Sequence, residues 1–412
     1  MRGNPENSRY RMIVFAALGA VISVWGAVMI APHLEGGLWK ALPGIAGAIQ
    51  RPFHLEWNSR TLPCVLIVLL IYGLGVLVYL NTRPNYRRRE EHGSAEWGRA
   101  KEINRKYHQQ PENENKILSQ NLGIGYDAHA HRRNLNTLVI GGSGAGKTRF
   151  FAKPNVLQAN TSFVILDPKG EILRDTGRVL QEKGYEVRVL DLINMQKSHC
   201  YNPFVYIEND NDAQRLVTNL FKSTTPKGSK SNDPFWDTAA SMLLMALILY
   251  LKYEAPSEEQ NFAMVMEMLR NGDVDEGKEG IPSVLDELFA GLEYFDPGHI
   301  ALKYYHAYRS GSAKTLKSIQ ITLAARLEKF NLDSLASLTV TDELDLKSLG
   351  EKKVALFALI PDNDTSFNFL VSILYTQLFQ QLFWVADHKY GGALPTPVHF
   401  LMDEFANGAT RS

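Results

Sequence analysis

Two stretches of the chain carry no charge from end to end: MIVFAALGAVISVWGAVMIA (Met12 to Ala31) and LPCVLIVLLIYGLGVLVYL (Leu62 to Leu80). Each is close to the ~20 residues that an α-helix needs to cross a bilayer, and neither has the polar face of a half-buried helix. The first is longer than the apolar core of a signal peptide, and no small-x-small cleavage pattern follows it directly. The pattern predicts two membrane spans.

Polar and apolar positions then alternate in a different way. From Glu90 to Asn136 the chain is polar and reads as an irregular linker. NTLVIGGSGAGKTRFF follows, an apolar strand, a Gly-rich turn and a helix start; TSFVILDPKGE and YEVRVLDL read as buried strands with a helix, RDTGRVLQEKG, between them. After about Asp212 strand texture vanishes and helical periodicity takes over. The uncharged core of one of these helices, Thr238 to Leu251, is too short to span comfortably and reads as a core helix. KKVALFALIPD and PVHFLMDEF then return to buried-strand texture, separated by a long helix.

Strands that alternate with helices predict a parallel sheet covered on both faces. The fold class is α/β, a parallel-sheet nucleotide-binding domain interrupted by an all-α insertion and preceded by a two-helix membrane hairpin. The expected boundaries are 1–92 for the anchor, 93–135 for the linker and 136–212 for the first part of the domain. The insertion takes 213–345 and the second part of the domain, incomplete, 346–412.

Charge settles orientation. Arg83, Arg87, Arg88, Arg89 and Arg99 follow the second run, whereas only Lys40, Arg51 and Arg60 lie between the runs. By the positive-inside rule the large C-terminal part is cytoplasmic, and with two spans so is the N-terminus, with Arg2, Arg9 and Arg11. The loop between the spans faces outward, with Trp39 and Trp57 suited to the lipid interface. Bulk charge excludes nothing, since 44 basic residues balance 44 acidic ones; Cys64 and Cys200 alone make no disulfide framework.

The Gly-rich turn carries the chemistry. Gly141, Gly142, Ser143, Gly144, Ala145, Gly146, Lys147 and Thr148 fit the phosphate-loop pattern G-x-x-x-x-G-K-[ST], between an expected strand and helix. Backbone N–H groups would cradle ATP phosphates, Lys147 would reach the β- and γ-phosphates, and Thr148 would ligate Mg²⁺. Asp403 and Glu404, ending the last apolar run, are the natural partners: Asp403 for the metal, Glu404 to polarise the attacking water. The Glu favours ATP hydrolysis. The guanine-reading N-K-x-D and the L-S-G-G-Q signature are both absent.

GSGAGKT, FVILDPKGE, DPFWDTAA, ALFALIPD and FLMDEFAN, behind two membrane spans and HGSAEWG, together resemble the TraG-like coupling proteins of conjugation and type IV secretion. The resemblance covers residues 60–407. It implies a membrane-anchored, RecA-like, hexameric P-loop ATPase that brings relaxase-bound DNA to the components of a secretion channel. It matches Gly141 to Thr148, Asp403 and Glu404 to the ATP site. Asp167 and Lys169 of DPKGE match a motif beside the phosphate loop and receive no chemical step. A membrane DNA translocase of the FtsK type shares anchor and motor but not DPKGE or the helical insertion. A membrane scaffold that binds nucleotide or cargo without turnover is the remaining alternative.

Within the insertion, Pro256 to His299 holds eleven acids against Arg270 and Lys278, and Lys303 to Lys329 holds six bases against Glu328. With Tyr304, Tyr305, His306 and Tyr308 interleaved, Lys303, Arg309, Lys314 and Lys317 are candidates for contact with DNA or cargo. Solvated helix faces, or the two blocks pairing with each other, account for the same pattern. After Asp403 comes only EFANGATRS. The resemblance implies a further strand between those ending at Ile140 and Asp403. The chain is therefore expected to be a fragment that binds ATP weakly and hydrolyses little.

Overall fold

In a computed structural model, which describes residues 5–36, 49, 53, 55–82, 97–225, 234–272, 282–362 and 364–404, both uncharged runs are helices: α1 (Pro5–Ile30) and α2 (Thr61–Asn81). Trp39, Arg83 to Arg89, the acids from Asp273 to Glu279 and the tail from Phe405 lie outside the described residues. The chain divides into two units, Met1–Trp97 and Gly98–Ser412.

In the first unit α1 and α2 pack together. The Tyr72 hydroxyl donates to the Ala16 carbonyl at 2.8 Å. This approach needs Gly19, where a Cβ would lie 2.4 Å from the Tyr72 oxygen. Leu62, Leu66, Leu70 and Leu74 remain exposed along α2, so both helices are long and apolar enough to cross a membrane and keep apolar surface outward.

The second unit begins with α3 (Ala100–Tyr107) and an antiparallel hairpin, β1 (Asn115–Ser119) and β2 (Leu122–Gly125). The expected irregular linker is thus partly ordered. Its order comes from side-chain amides rather than apolar periodicity. Asn115 exchanges bonds with the backbone of Gln109, and Asn155 does so with Ile117. Such local polar bonding leaves no apolar period to read.

Next come the short helix α4 (Lys153–Leu157), β3 (Ser162–Leu166), α5 (Glu171–Glu182) and β4 (Glu186–Asp191). Six longer helices follow: α6 (Asp210–Thr224), α7 (Phe235–Glu254), α8 (Phe262–Asn271), α9 (Val284–Phe295), α10 (Ile300–Arg309) and α11 (Ala313–Leu327). A short α12 (Asp333–Leu338), β5 (Val354–Leu359), α13 (Asn368–Lys389) and β6 (Val398–Met402) complete the unit.

The four strands β3 to β6 form one parallel sheet in the order β4-β5-β3-β6. Every residue of β3 and β5 is buried, which is why both read as continuous apolar runs. Alternate side chains serve opposite layers. Phe163 and Ile165 pack with Val156, Ile172 and Leu180 of α4 and α5, while Val164 and Leu166 join the core shared with α13 and the helical segment. At the heart of that segment, α7 buries ten residues from Ala239 to Leu251. It is a core helix, as its short uncharged stretch suggests. Arg326 of α11 ties it down, its Nη2 donating to both carboxylate oxygens of Asp237 at 2.8 Å.

One expected strand is not there. Residues 133–140 form no strand, and Leu138 and Ile140 are exposed. A strand needs a ladder, and among the described residues nothing pairs with the outer edge of β6. The segment is instead held through the hairpin. The Lys116 ammonium, buried and pushed down in pKa by that burial, donates to the Leu135 carbonyl at 2.7 Å.

Candidate nucleotide site

The phosphate-loop residues follow directly on this exposed segment. A turn closes with the Ala145 N–H on the Gly142 carbonyl at 3.2 Å. Gly146 then adopts φ +82°, and a Cβ there would meet the Phe150 ring at 2.3 Å; only glycine fits. From Lys147 to Ala152 the chain winds in a wide, π-type turn before tightening into α4, a geometry frequent at functional sites. The Lys147 ammonium bonds the carbonyls of Gly141 (3.0 Å) and Gly142 (3.3 Å).

The two halves of the predicted site meet through a single side-chain bond. Thr148 Oγ1 donates to Asp403 Oδ2 at 2.6 Å across 255 positions of sequence. Asp403 is presented by the sheet, since its own N–H continues the ladder to the Leu166 carbonyl at 3.2 Å. Glu404 sits at φ +48°, a strained value for a side-chain-bearing residue, and is exposed. A hydroxyl and a carboxylate in contact form an all-oxygen donor pair, which suits a hard divalent cation.

A cleft of about 670 Å³ brings the parts together. Ser143, Gly144, Gly146, Lys147, Thr148 and Glu404 line it. So do residues not assigned from the sequence: Arg149, Lys153, Lys169, Glu171 and Asp175. Lys153 bonds Asp175 at 2.6 Å, and that bond holds the Asp175 carboxyl below its usual range. Arg149 and Lys153, four residues apart on the same helical turn, were open to discovery once the helix was assumed. The reach of Asp175 from α5 was not.

Asp167 lies outside the cleft and is a helix cap. Its buried carboxylate accepts the N–H groups of Glu171, Ile172 and Leu173 at 3.1, 2.8 and 2.9 Å. Burial pushes its pKa up, against the downward pull of those bonds. The cap fixes the turn that carries Lys169 to the cleft.

The candidate nucleic-acid residues are elsewhere, on α10 and α11, and none lines the cleft. Lys303 and Lys314 are exposed and Lys317 is partly buried. Arg309 pairs with Asp286 at 2.9 Å, and His306 lies 3.4 Å from Glu293. Tyr305 and Tyr308 are core residues, with Tyr305 stacked on Phe289 at 3.8 Å and bonded to Asp286 at 2.7 Å. Two of the four interleaved aromatic positions are thus withheld from stacking on a base, because helical periodicity turns them inward.

The family described as "Type IV secretory system Conjugative DNA transfer" matches residues 96–408. Protein VirD4 of Rhizobium radiobacter is 23% identical over 369 residues, covering 86% of this chain and 50% of the relative. Protein VirD4 of Agrobacterium fabrum is 24% identical, covering 86% and 52%. The chain therefore spans about half the length of the curated relatives it matches. Among solved structures, the unbound bacterial conjugative coupling protein TrwBdeltaN70 aligns with a TM-score of 0.49 at 18% identity, covering 77% of this chain and 66% of that one. The plasmid coupling protein TrwB with ADPNP gives 0.49 at 18% identity, with 77% and 68% covered. TrwB with ADP and Mg²⁺ gives 0.43 at 18% identity, with 65% and 56% covered.

Proposed function

Because the chain belongs to the type IV secretory system conjugative DNA transfer family, we propose that it is a membrane-anchored coupling ATPase that delivers relaxase-bound DNA to a secretion channel. The observation that carries the reading is the bond from Thr148, which lines the cleft with Lys147 and Glu404, to Asp403. ATP is the substrate. Its phosphates lie against the loop from Gly141 to Thr148, with Lys147 exchanging its carbonyl partners for β- and γ-phosphate oxygens. Thr148 and Asp403 would hold Mg²⁺, which supplies charge neutralisation at those oxygens. Glu404 orients and polarises the attacking water, and its exposed position at the cleft leaves room for one.

α1 and α2 anchor the chain in the cytoplasmic membrane, with both termini on the cytoplasmic side. Its partners in this reading are relaxase-bound DNA, channel components and further copies of the chain in a hexameric ring; the family's description, conjugative DNA transfer by a type IV secretory system, supports the DNA and the secretion system. A second reading, nucleotide binding without turnover, is favoured by the segment before the loop. Leu138 and Ile140 are exposed and outside the sheet, so the loop lacks a strand to hold its entry and rests on the Thr148 bond and on α4, which follows it.

One pair of variants separates the readings. Lys147→Ala is expected to abolish ATP binding, and Glu404→Gln to keep binding while lowering turnover ~100-fold. Wild-type ATP affinity in Lys147→Ala would remove the phosphate loop from the site. Turnover at background in both the wild type and Glu404→Gln, with ATP still bound, leaves the binding scaffold; equal turnover above background removes Glu404 from catalysis.

A further inference from the structure

The DPKGE turn, to which the sequence assigns no step, sits at the mouth of the cleft. Its carrier strand, β3, lies between β5 and β6. Asp403 follows β6, Asp362 follows β5 and Lys169 follows β3, all beyond the carboxyl ends of parallel strands. Open α/β sheets bind ligands in that crevice.

The backbone of the turn is already committed. Pro168 has no N–H, the Lys169 N–H faces the Asp167 carboxylate, the Gly170 N–H bonds the Asp167 carbonyl at 3.3 Å, and the next three N–H groups bond the Asp167 carboxylate. The start of α5 therefore has no free N–H group in this turn for an anion. What the turn offers the cleft is two side chains, the Glu171 carboxylate and one cation, the ammonium of Lys169.

That ammonium is only loosely held. Its ion pair with Asp362 is 3.6 Å long, and the two side chains are 59% and 46% exposed. Pairs of this kind contribute little and exchange partners easily. The other cleft lysine beyond the phosphate loop, Lys153, is closely matched by Asp175 at 2.6 Å. A triphosphate brings more negative charge than Lys147 and the Arg149 guanidinium, which also lines the cleft, meet between them.

We propose that Lys169 is a second phosphate-contacting cation of the cleft, which leaves Asp362 for the terminal phosphate of a bound nucleoside triphosphate. Asp362 is then its counter-ion in the absence of that phosphate. The pair discriminates triphosphate from diphosphate, because the competing anion is the group lost on hydrolysis. The proposal rests on the reading of Gly141 to Thr148 as the phosphate loop.

The test uses the full chain in detergent micelles, with binding of the β,γ-imido analogue of ATP and of ADP measured by competition against a fluorescent nucleotide. Lys169→Gln should weaken the triphosphate analogue about tenfold, the order of one charge-assisted hydrogen bond, and ADP by less than about twofold. Lys169→Arg should retain most of the preference. Asp362→Asn should tighten the triphosphate severalfold and leave ADP unchanged. A wild-type ratio of the two affinities in Lys169→Gln, or in Asp362→Asn, overturns the exchange. Lys147→Ala serves as the control for the underlying site. If it binds both nucleotides like the wild type, the phosphate-loop reading fails whatever Lys169 does; if it loses both, the Lys169 result stands on its own.

Discussion

Two regions of the second unit concentrate cations, and they use them in opposite ways. At the cleft, Lys147 reaches only backbone carbonyls and the Lys169 pair is long and exposed. In the helical segment, Arg309 lies 2.9 Å from Asp286, and Arg326 holds Asp237 with two 2.8 Å bonds. The difference is one of backbone design. The phosphate loop curls so that Lys147 meets its own carbonyls beside open volume, while Lys153 on the helix that follows is paired with Asp175. α9 and α10 lie side by side, so Asp286 and Glu293 of the acidic block meet Arg309 and His306 of the basic one, while Lys303 and Lys314 stay exposed. A run of like charge in a sequence therefore indicates a ligand only after its neighbours in space are known.

The comparison breaks most visibly at Gly146. Gly146→Ala combines a left-handed φ with a Cβ overlapping the Phe150 ring. We expect nucleotide affinity to fall about 100-fold, in line with roughly 1–3 kcal/mol of backbone strain plus a displaced ring. The thermal unfolding midpoint should stay nearly unchanged, because the loop is exposed. Fluorescent-nucleotide titration and a melt on the same preparation check both halves.

Asp286→Asn probes the paired region and should act on stability, not on nucleotide binding. Asp286 caps α9 through Ser283 and accepts from Tyr305 and Arg309. Burial raises its pKa, but those bonds outweigh it and hold the carboxyl below the usual range. Its ionised form is thus favoured in the folded state. The contribution is fully present above the unfolded value of about 3.9 and is lost as pH falls through the lower folded pKa. The variant should cost about 1 kcal/mol at neutral pH and show a shallower loss of stability below about pH 4. Urea unfolding at several pH values reads it; an unchanged acid limb would mean that Asp286 is not ionised in the pair.

The smallest effect sharpens the boundary between the regions. Lys303 and Lys314 are exposed on the helical surface, whereas Arg309 has its carboxylate. If the two lysines face DNA, replacing each by Gln should lower the slope of log affinity against log salt by about 0.9. Arg309→Gln should leave it unchanged. A slope that ignores all three changes would make this face a solvated one.

Much of this was legible from residues close together in the chain. Two uncharged runs become exposed helices, GGSGAGKT becomes a tight glycine turn, and FVIL and VALFAL become fully buried strands. Span length, periodicity and turn chemistry are local properties, carried by a few residues at a time. The hairpin at Asn115–Gly125 escaped notice because amide side chains hold it.

What tertiary structure decided was partnership. It put Asp175 on Lys153, made Asp167 a cap and Lys169 a cleft residue, and turned Tyr305 and Tyr308 into core. It also left the apolar residues before the phosphate loop outside the sheet, where sequence pattern alone reads a strand. A strand exists only with a neighbour to complete its hydrogen bonds, and a charge is free only if no opposite charge is folded against it. Both depend on residues far apart in the chain, as Thr148 and Asp403 are, and on the register of β6 against β3 that brings those two to 2.6 Å.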